Sequence, residues 1–248
     1  MFELSIDGAI ATLRLLRPEA RNAIPPDGWA ALAGRAEAAE QAGARVLIVA
    51  GEPGGAFCAG ADLGSFDAFR DDPQARIDFR VAIRQGLDRL RNLSIPTVAV
   101  VEGACYGAGV AVAMACDIRC AGAGAKFAIT PAKLGISYPQ EDVHRLVGLV
   151  GPGQAARLLF GAGGISGAEA HRIALVELYE EHDLAGAVAE LARSIAANDP
   201  QSIRTLKRGI GLASAGAVSD REQDRAFDSL LGSDALFERL AAHRSRRS

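Results

Sequence analysis

The sequence has few cysteines, few histidines and few aromatic residues. Its 248 residues include four cysteines, four histidines and one tryptophan, and aromatic side chains make up 5%. No two cysteines form a Cys-x-x-Cys pair and the histidines are scattered, so the pattern predicts no metal site. Cys58, Cys105, Cys116 and Cys120 stand in apolar segments, which predicts buried and reduced thiols.

The sequence also lacks an excess of positive charge. It has 27 Lys and Arg against 30 Asp and Glu, a formal net charge of −3. Because proteins hold nucleic acid largely by neutralising phosphates, this balance predicts no nucleic-acid partner. The first residues lack the basic and apolar regions of a signal peptide, and the sequence predicts no membrane span. We therefore expect a soluble, cytoplasmic protein.

Hydrophobic residues are abundant, at 49% of the chain, which is enough for one large core. Two segments of alternating polarity flank Asp7 and Gly8 and predict an opening hairpin. Short apolar strands then alternate with helices, and the strands are predicted at 45–50, 98–101, 118–120, 126–129 and 175–179. This alternation predicts an α/β core over residues 1–185.

Only helical patterns follow this core. Apolar residues recur at helical spacing from Val188 to Leu240 and predict three or four amphipathic helices. These helices have more apolar faces than they can bury against one another. We therefore expect residues 186–248 to be a helical oligomerisation region of a homo-oligomer, with residues 243–248 as a frayed end.

Gly103, Gly107 and Gly109 stand between a buried strand and an alanine-rich helix, and two interpretations compete. One is a dinucleotide pyrophosphate on the helix N-terminus, as in short-chain dehydrogenases. Those enzymes also need a tyrosine with lysine four residues later, and none of the three tyrosines has one. The other is a substrate carbonyl oxygen held by backbone amides, to which a second small-residue loop at 54–63 would contribute.

Six motifs occur in order over nearly the whole chain. They are RPEARNAI at 17–24, AFCAGADL at 56–63, PTVAVVEG at 96–103, GAG at 107–109, ACDI at 115–118 and the segment 127–135. Together they resemble the enoyl-CoA hydratase/isomerase (crotonase) superfamily. The resemblance implies an α/β spiral of repeated ββα units with a helical C-terminal trimerisation region, and hence a homotrimer or hexamer.

The resemblance also implies a coenzyme A thioester as substrate and no separate cofactor. By position, the thioester oxygen would meet the N–H groups of Ala61 and Ala108, and Gly107 and Gly109 on either side of Ala108 would contact the substrate. Ala108 replaces the commoner glycine but keeps the N–H donor. The other implied substrate contacts are Arg21, Ala59, Gly60, Asp62, Leu63, Lys207 and Phe227.

Related enzymes carry catalytic acids at three positions, which are Ala111, Pro131 and Pro139 in this sequence. We expect Pro131 and Pro139 to line the substrate site instead. A positioned acid or base contributes about 10²- to 10⁴-fold to a rate, so an ordinary hydratase is not expected.

The nearest substitutes are Glu141, Asp142 and His144. Acids in the first turn of a helix also simply stabilise its N-terminus. We expect Glu141 to transfer the proton, with Asp142 and His144 as alternatives. The sequence thus predicts a protein that binds an acyl-CoA and stabilises its enolate, with the reaction type open. The alternative is a non-catalytic acyl-CoA carrier or sensor.

Overall fold

The computed structural model describes residues 1–245, which form nine β-strands and nine α-helices. The strands are β1 Phe2–Asp7, β2 Ile10–Leu15, β3 Val46–Ala50, β4 Thr97–Val101, β5 Ala104–Tyr106, β6 Ile118–Gly122, β7 Lys126–Ala128, β8 Ile165–Ser166 and β9 Leu178–Glu180. The helices are α1 Gly28–Gln41, α2 Pro73–Arg91, α3 Ala108–Ala115, α4 Gln140–Gly161, α5 Gly167–Arg172, α6 Leu184–Ala197, α7 Pro200–Ser214, α8 Arg221–Leu231 and α9 Asp234–Ser245. The predicted frayed end falls partly in α9 and partly, at residues 246–248, outside the described residues.

The strands form one six-stranded and one three-stranded sheet. The larger sheet has the order β1-β2-β3-β4-β6-β9, with β1 antiparallel to β2 and the other neighbours parallel. The opening hairpin is therefore present, and Gly8 supplies the positive φ of +56° in its turn. The smaller sheet has the order β5-β7-β8 and carries the loop that precedes α3.

The apolar runs of β3 and β4 are covered on both faces. In β4, Ala99 and Val101 belong to the main core cluster with Trp29 of α1 and Leu87 of α2. The alternate residues of the same strand pack into a second cluster, together with Val188 and other residues of α6. Strands of a parallel sheet read as continuous apolar runs for this reason. None of the described helices is both long and apolar enough to cross a bilayer.

The helical tail packs unevenly. Helix α6 buries Leu184, Val188 and Ala192 against the sheet, so the predicted division between residues 185 and 186 falls inside a helix that contributes to the core. By contrast, no residue of α7 or α8 is buried, and Ile210 and Phe227 are mostly exposed. The expectation that these surfaces meet other copies of the chain stays a prediction.

The predicted strand at 175–179 begins three residues later, at Leu178. Ala174 adopts a positive φ of +62°, and the carbonyl oxygen of Leu175 accepts a hydrogen bond of 3.0 Å from Nε of Arg119. The Arg119 guanidinium also donates to the Cys116 carbonyl at 2.9 Å and pairs with the Glu177 carboxylate. Residues 175–177 therefore wrap around a buried arginine before the strand starts.

We expect Arg119→Ala to lower the free energy of unfolding by about 3 kcal/mol, because buried carbonyls would lose their donor and Glu177 its partner. Urea titration followed by circular dichroism measures this change. Arg89→Ala is the matched control, since Arg89 pairs with Glu37 at 3.7 Å on the surface and such pairs contribute about 0–1 kcal/mol. Equal effects of the two substitutions would contradict the role given to Arg119.

Candidate active site

The segment at 17–24 packs against the loop at 56–63 and is hydrogen bonded to it. The Asn22 side chain accepts from the Arg17 N–H at 2.7 Å and donates to the Ala56 carbonyl at 2.7 Å. The Arg21 carbonyl accepts the Ala59 N–H at 2.9 Å, and both Arg21 and Asn22 have positive φ. Arg21 and Asn22 therefore fix the conformation of the loop at 56–63.

Asp62 closes the same loop. Its carboxylate accepts from Nη1 of Arg17 at 2.6 Å and from the Gly64 N–H at 3.1 Å. The hydrogen bond from Arg17 is the main reason why the pKa of this carboxyl lies below its usual value, and the Gly64 bond adds to it. The side chain of Asp62, a residue expected to contact the substrate, is thus engaged in holding the loop.

The Ala61 N–H points away from the segment at 17–24. The Ile24 N–H donates to the Gly60 carbonyl at 2.8 Å, and the Ile24 carbonyl accepts from the Asp62 N–H at 2.9 Å. The Gly60 carbonyl and the Ala61 N–H belong to one peptide. A trans peptide places its C=O and N–H on opposite sides, so the N–H of Ala61 is directed away from Ile24. Within residues 1–245, no protein group accepts this N–H.

The Ala108 N–H also has no acceptor in the described part of the chain, but for a different reason. Ala108 is the first residue of α3, and the first N–H groups of a helix have no intrahelical acceptor. The carbonyl of the preceding Gly107 accepts from the Val110 N–H at 3.0 Å and from the Tyr138 hydroxyl at 3.0 Å. The Ala108 N–H of the same peptide therefore points out of the positive end of the helix.

Close main-chain contact brings the two loops together. The Cys58 N–H donates to the Ala104 carbonyl at 3.1 Å, and the Cys58 carbonyl accepts from the Tyr106 N–H at 2.9 Å. A Cβ on Gly60 would lie 3.4 Å from the Ala108 nitrogen, and a Cβ on Gly109 would lie 2.2 Å from the Cys58 carbonyl oxygen. Only glycine fits at Gly109, and the loops with the two free amides adjoin each other.

Ala61 and Ala108 both line one pocket of about 440 Å³. The other small or predicted residues on its lining are Ala59, Gly60, Gly107, Ala111, Pro131 and Pro139. Its large apolar residues are Leu63, Phe66, Phe79, Ile83, Leu134 and Ile136. The rings of Phe66 and Phe79 are 5.6 Å apart and edge-on. The pocket thus joins free amides to an apolar wall, the usual composition of a small-molecule site.

The pocket contains one carboxylate, considering residues 1–245, and it is that of Asp142. This side chain is 1% exposed and lies 3.3 Å from Nη1 of Arg145 and 3.7 Å from Nη1 of Arg84. Burial is the largest influence on its pKa and raises it above the usual value, although the two arginines oppose that effect. A buried carboxyl group with a raised pKa is suited to proton transfer.

Glu141 was the expected proton-transfer residue, but the structure places it outside this pocket lining. Its side chain is 55% exposed, and its carboxylate lies 4.0 Å from Arg84. Asp142 is three positions after Pro139 and therefore shares its side of the first turn of α4, whereas Glu141 is turned aside. His144 is exposed as well. The site therefore brings in Asp142, which the sequence offered only as an alternative.

Five residues expected at the substrate site lie outside the pocket lining: Arg21, Asp62, Gly109, Lys207 and Phe227. Nζ of Lys207 donates to the Ile95 carbonyl and to the Asp117 carboxylate, each at 2.8 Å, and so ties α7 to the core. Phe227 is 61% exposed on α8. Arg21 is exposed beside the Ala59 loop, which is a suitable place for a phosphate contact, and that contact stays a prediction.

A larger cavity of about 820 Å³ lies between the end of α2 and helices α7 and α8. Many of its charged lining residues are already paired, including Lys207 with Asp117 and Arg208 with Asp220. It includes neither Ala61 nor Ala108. We take the smaller pocket as the candidate active site, because the free amides lie there.

The four cysteines are all buried. Burial raises the pKa of Cys58 to about 12 and also raises that of Cys105, which lies beside it. Both thiols therefore keep their protons at neutral pH, and a neutral thiol is a poor nucleophile. In the part of the chain that the structure describes, no group of three or more His, Cys, Asp or Glu could hold a metal ion.

Known proteins share both this fold and this sequence pattern. A crystal structure from Hyphomonas neptunium, described as an enoyl-CoA hydratase/isomerase family protein, has a TM-score of 0.93 and 34% identity. The similarity covers 99% of this chain and 95% of that one. An enoyl-CoA hydratase/carnithine racemase from Magnetospirillum magneticum has a TM-score of 0.92 and 30% identity, covering 99% and 92% of the two chains. The predicted crotonase-like α/β fold is confirmed.

The sequence comparisons agree. The short-chain-enoyl-CoA hydratase of Clostridium acetobutylicum is 32% identical over 230 residues, which cover 91% of this chain and 85% of that protein. The model of the Enoyl-CoA hydratase/isomerase family matches residues 5–234. The chain belongs to the enoyl-CoA hydratase/isomerase family.

Proposed function

We propose that the chain binds an acyl-CoA thioester and stabilises its enolate with the N–H groups of Ala61 and Ala108. One observation carries this proposal: two backbone amides that have no acceptor among residues 1–245 lie on adjoining loops that line one apolar pocket. When a proton leaves the α-carbon of a thioester, negative charge develops on the carbonyl oxygen. Two preorganised donors stabilise that charge, and the loss of one such donor costs about 3 kcal/mol.

Asp142 is the proposed proton-transfer group. Its carboxylate takes a proton from the α-carbon, and the electron pair of the broken C–H bond moves into the enolate. The same carboxyl group then returns a proton to the γ-carbon, so the double bond moves between the 3- and 2-positions. Its raised pKa brings it closer to the pH at which acid–base catalysis is efficient.

A single carboxyl group favours isomerisation over hydration. Hydration needs one group to activate water and a second to handle the α-proton, whereas double-bond migration needs one group that takes and returns a proton. The two hydratase positions are Ala111 and Pro131, and neither side chain can exchange a proton. We therefore favour an enoyl-CoA isomerase whose substrate carries an apolar acyl chain, with coenzyme A as part of the substrate and no separate cofactor.

A non-catalytic acyl-CoA carrier or sensor is the second candidate. Arg84 and Arg145 flank Asp142, and two cations next to a carboxylate favour its charged form and oppose the effect of burial on its pKa. A carboxylate held in this way would shape the pocket without exchanging protons. The carrier would keep the same two amides and the same apolar wall.

The proposed assembly is a homotrimer or hexamer. Leu206, Ile210, Phe227, Leu231 and Phe237 of the last three helices are each more than half exposed. Large exposed apolar surfaces of this kind usually mark contacts with another protein. Sedimentation at micromolar concentration would contradict this assembly if it gave a monomer.

Calorimetry with hexanoyl-CoA and spectrophotometry with 3-hexenoyl-CoA and crotonyl-CoA test these proposals together. We expect heat with hexanoyl-CoA, rising conjugated-thioester absorbance with 3-hexenoyl-CoA, and no loss of that absorbance with crotonyl-CoA. Binding without turnover of either enoyl thioester would favour the carrier. No heat with any CoA ester would contradict both functions.

A further inference from the structure

The Tyr138 hydroxyl is hydrogen bonded to the peptide that carries one of the two free amides. Its side chain is 8% exposed and lines the candidate pocket. Its hydroxyl donates to the Gly107 carbonyl oxygen at 3.0 Å across 31 positions of the chain. The other half of that peptide is the Ala108 N–H.

Other contacts must fix the orientation of the peptide between Gly107 and Ala108, because glycine permits rotation of its backbone. Gly107 has φ +50° and ψ −118°, a conformation that other residues rarely adopt. Its N–H donates to the Ala128 carbonyl at 2.8 Å, which anchors the peptide before it. A change in ψ at Gly107 would swing the Ala108 N–H away from the pocket. The hydrogen bonds that the Gly107 carbonyl accepts from the Val110 N–H, the Tyr138 hydroxyl and, at 3.4 Å, the Ala111 N–H oppose this rotation.

We propose that Tyr138 is a positioning residue for the oxyanion donor. Its hydroxyl holds the peptide between Gly107 and Ala108 in the orientation that presents the Ala108 N–H. It also polarises the carbonyl end of this amide, which makes the N–H end a stronger donor, because linked hydrogen bonds reinforce one another. This inference rests on the proposed function and adds to it a third group that acts through the main chain.

The surroundings of Tyr138 keep its hydroxyl a donor. Burial raises the pKa of Tyr138 well above its usual value, and the charge of Asp142 raises it further, while Arg145 opposes both. The phenol therefore stays protonated over the working pH range. The ring itself packs in the main core cluster, so Tyr138→Phe keeps the packing and removes the hydroxyl alone.

A conjugated dienoyl thioester, 2,4-hexadienoyl-CoA, is the probe for the test. Hydrogen bonds to its carbonyl oxygen pull electrons toward that oxygen, which moves the absorbance of the bound thioester to longer wavelength. We expect Tyr138→Phe to bind the probe with an affinity within about threefold of the wild type, with a clearly smaller red shift. In turnover of 3-hexenoyl-CoA we expect kcat to fall about five- to tenfold with KM unchanged, corresponding to one neutral hydrogen bond.

Two controls keep the result interpretable. Tyr179→Phe changes a tyrosine of β9, outside the pocket lining, and should leave the red shift intact. Replacing Tyr138 with a fluorotyrosine, whose hydroxyl is a stronger donor on a ring of nearly the same shape, should enlarge the shift. This second variant also gives an answer if Tyr138→Phe fails to fold.

The outcomes separate this inference from the function on which it rests. If the wild-type protein binds the probe without a red shift, the oxyanion proposal itself fails. If the wild type gives a shift that Tyr138→Phe and the fluorotyrosine variant leave unchanged, only the role of Tyr138 is overturned. A shift that follows the donor strength of the Tyr138 hydroxyl supports the inference.

Discussion

Asp142→Asn is expected to lower kcat for 3-enoyl-CoA isomerisation by at least about a hundredfold, because the amide cannot take or return the α-proton. The substitution keeps the shape of the side chain, so binding of hexanoyl-CoA should stay within a few-fold. Spectrophotometric turnover and calorimetry on the same preparations measure the two effects. A loss of binding equal to the loss of turnover would indicate a damaged pocket and count against a role in proton transfer.

Glu141→Gln is the comparison that decides between neighbouring carboxylates. Glu141 is more than half exposed and outside the pocket lining, whereas Asp142 is buried in it. We expect Glu141→Gln to keep turnover within about threefold, since the side chain is solvent-exposed and does not line the pocket. Inactivation by Glu141→Gln together with activity of Asp142→Asn would reverse the assignment.

The pH dependence supplies an independent check of Asp142. The base must be ionised, and burial raises its pKa above the usual value of an aspartate. Turnover should therefore fall as the pH drops through this raised pKa, at a higher pH than an exposed carboxylate would give. Any residual turnover by Asp142→Asn should not show this fall with decreasing pH.

Ala108→Pro is the second substitution with a large expected effect, because it deletes the proposed N–H donor. We expect kcat/KM to fall about 10²- to 10³-fold. The fold should survive, since the first position of a helix tolerates proline and the lost N–H has no protein acceptor within residues 1–245. Circular dichroism checks the fold, and turnover and calorimetry check the function.

Two controls separate donor loss from other effects of proline. Ala108→Gly keeps the N–H and should retain affinity and turnover. Arg221→Pro places proline at the first position of α8, after an extended Asp220, and should leave both properties unchanged. Wild-type affinity and turnover in Ala108→Pro would contradict an oxyanion role for this amide.

The sequence predicted the central strands of the large sheet well, because they are buried on both faces. The apolar runs at β3 and β4 lack alternation, and both strands lie inside the large sheet. The start of β9 was predicted too early, since the positive φ of Ala174 and the bonds to Arg119 come from tertiary contacts. No local pattern reveals a carbonyl acceptor for an arginine 56 residues away.

The loops that line the candidate site could be located from the sequence motifs, whereas the orientation of its side chains could not. The motifs around Ala61 and Ala108 indicated which amides to consider, but only the hydrogen-bond pattern reveals that neither has an acceptor among residues 1–245. The choice between Glu141 and Asp142 depends on the start of α4 at Gln140, which turns Asp142 inward. Lys207 was expected to contact the coenzyme, whereas its amino group pairs with Asp117, 90 residues earlier in the chain.

A crystal structure with a bound, unreactive acyl-CoA tests the central claim most directly. The measured quantities are the distances from the thioester carbonyl oxygen to the amide nitrogens of Ala61 and Ala108. We expect both distances at about 2.7–3.1 Å, with the acyl chain against Phe66 and Phe79. A thioester oxygen more than about 3.5 Å from both nitrogens would contradict the proposed oxyanion hole.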